Sequence, residues 1–240
     1  MSAVIDLQSR VNEYLPDRVA MVAGATGLVG REILAVLLAD HSYRSVHCVV
    51  RRPVAMHQPK LVVHVESFAK LPHLPQVDDV FIALGTAIAK AGSQAAFRAV
   101  DLDAVVALAH AAWVSGADKL RVVSAMGADP ESSMSYNRVK GEMEHAVDAI
   151  DFNALVIARP SVLAGDREKI GERARTGERL SLSLMRVLKP LIPANYRAIS
   201  AQDVATALVH AVKYTKSGTH RLLSGEMQGA VARAAHATHH

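Results

Sequence analysis

Tyr136 and Lys140 lie four residues apart in Tyr136-Asn137-Arg138-Val139-Lys140, a stretch that reads as helix. That spacing puts both side chains on one helical face, one turn apart. An ammonium beside a phenol favours the phenolate and draws a pKa that is ordinarily about 10 toward working pH. Such a phenol can exchange a proton with a carbonyl oxygen. Ser124 ends an apolar run, Leu120-Arg121-Val122-Val123, twelve residues before Tyr136. Its hydroxyl is placed to hydrogen-bond the same oxygen; a loop serine satisfying nearby backbone is the plainer alternative. Ser124, Tyr136 and Lys140 are therefore the candidate catalytic residues.

A carbonyl that gains a proton in reduction also needs a hydride, and Gly24-Ala25-Thr26-Gly27-Leu28-Val29-Gly30 points to its source. The stretch follows the apolar run 18–23 and precedes the run 31–38, which reads as strand, tight turn and helix. Backbone N–H groups and a helix start at such a turn suit the pyrophosphate of a dinucleotide, although glycine turns also join strands to helices without a ligand. Arg51 and Arg52 end the next strand, 45–50. An acidic residue there would bind the ribose 2′-hydroxyl of NAD, whereas guanidinium groups pair with a 2′-phosphate. NADP(H) is thus expected over NAD(H), with two arginines solvating a strand end as the alternative. Gly85, in Leu84-Gly85-Thr86, would let backbone approach a bound cofactor or would simply end a strand.

The elements that must position these residues follow from composition and pattern. The chain has 240 residues, of which 50% are hydrophobic and only 4% aromatic, which suits buried parallel strands under Ala- and Leu-rich helices. Strands are expected at 18–23, 45–50, 61–65, 79–84, 120–124 and 154–158. Helices are expected at 4–15, 31–38, 93–115, 136–150 and from a capping box at Ser200 through Val212. Helix 93–115 is apolar around nearly its whole circumference, which predicts burial against the sheet and a second subunit. The alternation implies a Rossmann-type, doubly wound parallel α/β sheet in one domain, 1–224, with a substrate-facing insert at 166–198 and a flexible tail at 225–240.

Other signals exclude function classes. The net charge of +4 is too mild to argue for nucleic acid. One cysteine, Cys48, precludes an intrachain disulfide, and the twelve histidines show no zinc-ligand spacing. The stretch 1–16 carries Asp6, Arg10 and Glu13, unlike a secretory signal. No apolar run reaches the ~18 residues that span a bilayer. A cytoplasmic protein without stable membrane association is expected.

Together, the glycine turn, Leu84-Gly85-Thr86, Ser124 and Tyr136-x-x-x-Lys140 resemble the short-chain dehydrogenase/reductase family, in its atypical branch. The resemblance narrows through Val50-Arg51-Arg52, Lys90-Ala91-Gly92, Ser124-Ala125-Met126-Gly127-Ala128-Asp129, Val139-Lys140-Gly141-Glu142 and Arg159-Pro160-Ser161-Val162-Leu163 with Asp166-Arg167. These resemble a group of tumour-suppressor-like proteins that bind a nicotinamide dinucleotide, and the likeness covers about 18–215. It implies NADPH held by Gly24, Thr26, Gly27, Leu28, Val29, Gly30, Arg51, Arg52, Leu84, Gly85, Thr86, Tyr136, Lys140, Pro160, Ser161, Val162 and Leu163. It also implies reduction of a small carbonyl substrate, with a regulator that binds NADPH without turnover and a sugar-nucleotide epimerase as alternatives. One departure is plain. Many such reductases carry a relay asparagine after the fourth strand, and this chain has no Asn between Asn12 and Asn137.

The insert is basic, with Arg167, Lys169, Arg173, Arg175, Arg179, Arg186 and Lys189 against Asp166, Glu168, Glu172 and Glu178. That surplus would suit an anionic substrate or an acidic partner, or form a solvated helix face.

Overall fold

The computed structural model describes residues 18–68, 74–86, 91–164 and 193–237. Its centre is a seven-stranded sheet with β1 at Arg18–Ala23, β2 at Tyr43–Val50, β3 at Leu61–Val65 and β4 at Asp79–Ile82. The remaining strands of that sheet are β5 at Lys119–Val123, β6 at Ala154–Arg159 and β9 at Gly218–Leu223. All neighbours run parallel in the order β3-β2-β1-β4-β5-β6-β9. A short parallel pair, β7 at Leu163–Ala164 and β8 at Ile199–Ser200, lies apart from it. The order reverses between β1 and β4, and in such sheets a crevice opens at that point beyond the carboxyl ends of the strands.

Both faces are covered, as buried parallel strands require. On one face lie α1 (Leu28–Ala39) and α5 (Ala201–Tyr214), with Ile33, Leu37, Val204 and Leu208 packed on Val22, Val46 and Cys48. On the other, α3 (Ala104–Val114) and α4 (Ser135–Asp148) bring Leu108, Ala112, Val139 and Met143 against Met21, Ile82 and Val122. Ser200 caps the helix as expected, its hydroxyl accepting from Asp203 N–H at 2.9 Å.

Opposite the crevice, a charged cluster ties β1, β2, β4 and β5. Asp79 is fully buried and takes Arg121 Nη1 at 2.7 Å, Arg18 Nη2 at 2.5 Å and the Tyr43 hydroxyl at 2.9 Å. Burial, then the Asp79 charge, drives the Tyr43 phenol upward; burial lowers Arg121 while Asp79 opposes that. A lone buried carboxylate would be costly, and two guanidiniums make it tolerable.

Two expectations are corrected. The stretch 93–115 is not one regular helix: α2 (Gln94–Arg98) passes through a π-turn, Ala99–Asp103, into α3. In the single chain, Trp113 and Val114 on α3 are 44% and 54% exposed. The tail expected to be flexible is helix α6, Ser224–Ala237, because Met227 is fully buried and Gln228 donates to the Ala198 carbonyl at 3.0 Å. Residues 4–15 and most of the insert, 166–192, lie outside the described residues.

Candidate functional site

The glycine turn lies where β1 feeds α1, at the crevice. Gly24 has φ of +91°, and a Cβ there would stand 2.5 Å from the Ala83 carbonyl oxygen. At Gly30 a Cβ would come within 2.0 Å of the Gly24 carbonyl oxygen. Only glycine lets the turn close this tightly. Gly27 N–H closes it by donating to Gly24 O at 2.9 Å, and Gly27 caps α1 without any side-chain hydrogen bond or acidic residue in the first turn. The helix start is thus left uncapped, an arrangement suited to an anion. Thr26 is exposed, Leu28 half-buried and Val29 buried beneath the turn.

Gly85 follows β4 across the switch point and is exposed. Its Cα faces a buried ion pair: a Cβ there would lie 3.4 Å from Asp101 Oδ1 and 3.8 Å from Lys140 Nζ. Lys140 Nζ stands 2.8 Å from Asp101 Oδ1, with side chains 4% and 1% exposed. The second Asp101 oxygen accepts from Thr86 N–H at 2.8 Å. Asp101 is carried by the π-turn, a one-residue irregularity that helices commonly keep at functional positions. The turn from β4, the π-turn and α4 therefore meet at Lys140.

One turn earlier on α4, Tyr136 is 37% exposed and its ring stacks on the fully buried Phe97, centroids 5.6 Å apart. Phe97, from α2, gives the phenol ring a fixed wall. Ser124 follows β5, 5% exposed, and its hydroxyl donates to Glu144 Oε1 at 2.6 Å. Glu144 sits one turn beyond Lys140 on α4 and is 2% exposed. Arg159 grips it through Nε at 2.9 and 3.1 Å and Nη2 at 2.6 Å, while Arg221 Nε approaches to 3.5 Å.

Arg51 and Arg52 are exposed just past β2, with Arg51 over the Phe68 ring at 6.0 Å. Beyond β6, Pro160 is buried and its carbonyl accepts from Met126 N–H at 2.9 Å. Ser161 is tied down by donating to the Arg197 carbonyl at 2.5 Å and accepting from Ser224 at 3.1 Å. Val162 is 40% exposed and Leu163 begins β7. Asp101, Glu144 and Arg159 were absent from the sequence-derived site. A sequence signal existed for Glu144, four residues after Lys140, and for Asp101, an acid within an apolar helix.

No family model matches the chain. Among curated relatives, "Protein FMP52, mitochondrial" of Eremothecium gossypii is 38% identical over 152 residues, 62% of this chain and 68% of the relative. "Protein HTATIP2" of Rattus norvegicus is 29% identical over 227 residues, 92% of this chain and 91% of that one. Among solved structures, MoeE5 in complex with UDP-glucuronic acid and NAD is similar with a TM-score of 0.66 at 19% identity. That match covers 87% of this chain and 76% of MoeE5, a likeness of fold. The cytoplasmic expectation is corrected by the FMP52 relatives, whose names place them in mitochondria. With the Rossmann-type sheet, the chain belongs to the atypical short-chain dehydrogenase/reductase family, in the group that includes FMP52 and HTATIP2.

Proposed function

We propose that the protein is an oxidoreductase that uses a nicotinamide dinucleotide, NADPH in preference to NADH, to reduce a small carbonyl compound. The observation that carries this reading is the convergence of three elements at the switch point: the uncapped glycine turn, exposed Gly85, and α4 with Tyr136 and Lys140. The tight turn between Gly24 and Gly30 fits a pyrophosphate, and the exposed Arg51 and Arg52 fit a 2′-phosphate. Thr26, Leu28 and Val29, with Leu84, Gly85, Thr86 and the segment Pro160, Ser161, Val162 and Leu163, would line the remainder.

When bound, the dinucleotide supplies a hydride to the carbonyl carbon. Tyr136 gives its phenolic proton to the carbonyl oxygen, so the product is an alcohol and the tyrosine is left as phenolate until solvent reprotonates it. Lys140 sits one turn away and offers its remaining N–H donors to ribose hydroxyls while Asp101 balances its charge. Phe97 holds the Tyr136 ring, so little reorientation accompanies the transfer.

A second reading, a protein that binds the dinucleotide without turnover, draws on one observation: Lys140 and Ser124 are each already engaged by a buried carboxylate. The test is NADPH and NADH titration by fluorescence, followed by NADPH absorbance with a carbonyl panel in wild type and Tyr136→Phe. Oxidation that falls by 100-fold or more in the variant supports the reductase. Tight binding with no turnover across the panel moves the reading to the quiet binder, and absence of dinucleotide binding overturns both.

A further inference from the structure

We propose that the outer side of α3 is a self-complementary docking surface for a second copy of this chain, with the two α3 helices packed antiparallel about a two-fold axis between Val106 and Ala107. The inference is independent of the oxidoreductase reading. A groove of about 660 Å³ runs along α3, and Phe68, Leu102, Val106 and Ala146 supply apolar lining. Asp103 and His110 line the same groove, seven residues and so two turns apart, and both are exposed. The stripe continues past the groove into Trp113 and Val114, large apolar side chains open to solvent, with the Trp113 ring 6.2 Å from that of His110. An apolar strip of this kind on one helix, carrying one acid and one imidazole, marks a surface that binds another protein surface.

The surface that complements this stripe is the stripe itself. An axis between Val106 and Ala107 sets position 103 of each copy opposite position 110 of the other. Asp103 then meets the partner's His110, and His110 meets the partner's Asp103. An imidazole can donate an N–H to a carboxylate whether it is neutral or charged. The two contacts lie about 5 Å on either side of the axis, at ~1.5 Å per residue. A parallel pair would bring Asp103 against Asp103 and His110 against His110, so charge selects the antiparallel register.

Size agrees with charge. Ala107 is exposed beside the axis, and so small a side chain lets two helices approach to about 8–10 Å. In the same register Trp113 falls opposite position 100, next to the partner's Leu102 at the far end of the partner's groove. Each copy thus gives one indole and receives one. Tryptophan is among the residues that most often dominate the energy of such contacts.

Trp113 is the single tryptophan of the chain, so its emission reports on this surface alone. The full chain is followed by sedimentation velocity and by tryptophan emission on dilution from about 100 μM. Wild type is expected to be a dimer at the high end, its emission moving to the red as dilution exposes Trp113. Trp113→Ala is expected to weaken the dimer by about 30-fold or more in sedimentation. His110→Asp sets carboxylate against carboxylate twice and is expected to weaken it by about 100-fold, and adding Asp103→Arg to His110→Asp restores it. All three positions are exposed, and circular dichroism checks that each variant is folded; Trp113→Ala keeps the test decisive if a charge variant is not. A monomer throughout the range overturns the proposal and leaves the groove to a different partner. A dimer equally tight in Trp113→Ala and His110→Asp places the contact on another face, and failure of the double variant to recover removes the antiparallel register.

Discussion

Lys140 and Asp101 face each other 2.8 Å apart with both side chains buried, beneath the exposed backbone of Gly85. The lysine expected to hold a ribose is thus anchored from behind by a carboxylate that also receives the Thr86 amide. Removing one partner of such a pair strands a buried charge, at a cost of about 3–5 kcal/mol. Asp101→Ala is expected to lose stability of that order in urea denaturation. Asp101→Asn keeps an acceptor for Thr86 N–H and is expected to lose less. An Asp101→Ala midpoint indistinguishable from wild type would mean that Lys140 finds water or another partner.

What could be read from sequence here was whatever is local along the chain. The turn from Gly24 to Gly30 and the Tyr136–Lys140 pair each lie within a single strand-turn-helix or helix, and the positions of strands β1 to β6 along the chain followed from apolar runs. Glu144 and Asp101 stood out by position, but their pairing with Ser124 and Lys140 was not legible, because each contact runs between elements. Asp101 depends in addition on a π-turn that shifts the helical register, which no periodicity argument anticipates. Strand β9 escaped because Gly218, Thr219, His220 and Arg221 are exposed at the sheet edge and present no apolar run. Helix α6 escaped because the described residues that anchor it, Ser224, Met227 and Gln228, lie in a polar and alanine-rich stretch with no apolar period.

Arg51 and Arg52 separate the two dinucleotides. Both are exposed at the end of β2, so neither supports the core. Replacing both with Ala is expected to weaken NADPH binding by about 10- to 100-fold, the loss of charge-assisted contacts to a phosphate, and to change NADH binding little. Fluorescence titration with both dinucleotides measures it. Equal losses for the two would take the arginines away from the 2′-phosphate.

His47 and His64 couple the outer strands to pH. His47 Nδ1 and His64 Nε2 are 2.8 Å apart across β2 and β3, with stacked rings 5.1 Å between centroids. Burial, then the charge of His64, holds His47 below the 6.5 of a free imidazole. The unfolded chain therefore binds that proton at a higher pH than the fold does. This contribution to stability is complete above 6.5 and is lost as pH falls through that value toward the lower folded pKa. Urea midpoints of wild type are expected to drop between about pH 7 and 5, with a shallower drop in His47→Gln. Parallel pH profiles in the two proteins would remove His47 as a contributor.

Cys48 offers a probe of the same strands. It lies fully buried in β2 between Val22 of β1 and Val63 of β3, and burial pushes its thiol up to about 11. The thiolate is the reacting species, so the folded protein is doubly protected, by lack of access and by lack of ionisation. Labelling with a thiol-reactive disulfide reagent at about pH 8 is expected to run at least ~100-fold slower in native buffer than in urea. Native labelling requires β2 to leave the sheet, and β2 ends at Val50, immediately before the two exposed arginines, Arg51 and Arg52. If opening that strand dismantles the proposed phosphate site, NADPH must suppress labelling in proportion to its occupancy, by linkage. Arg51 and Arg52 changed together to Ala should remove that suppression while leaving the dinucleotide-free rate near wild type. Labelling that NADPH does not slow, in protein shown to bind it, would place the dinucleotide away from the end of β2.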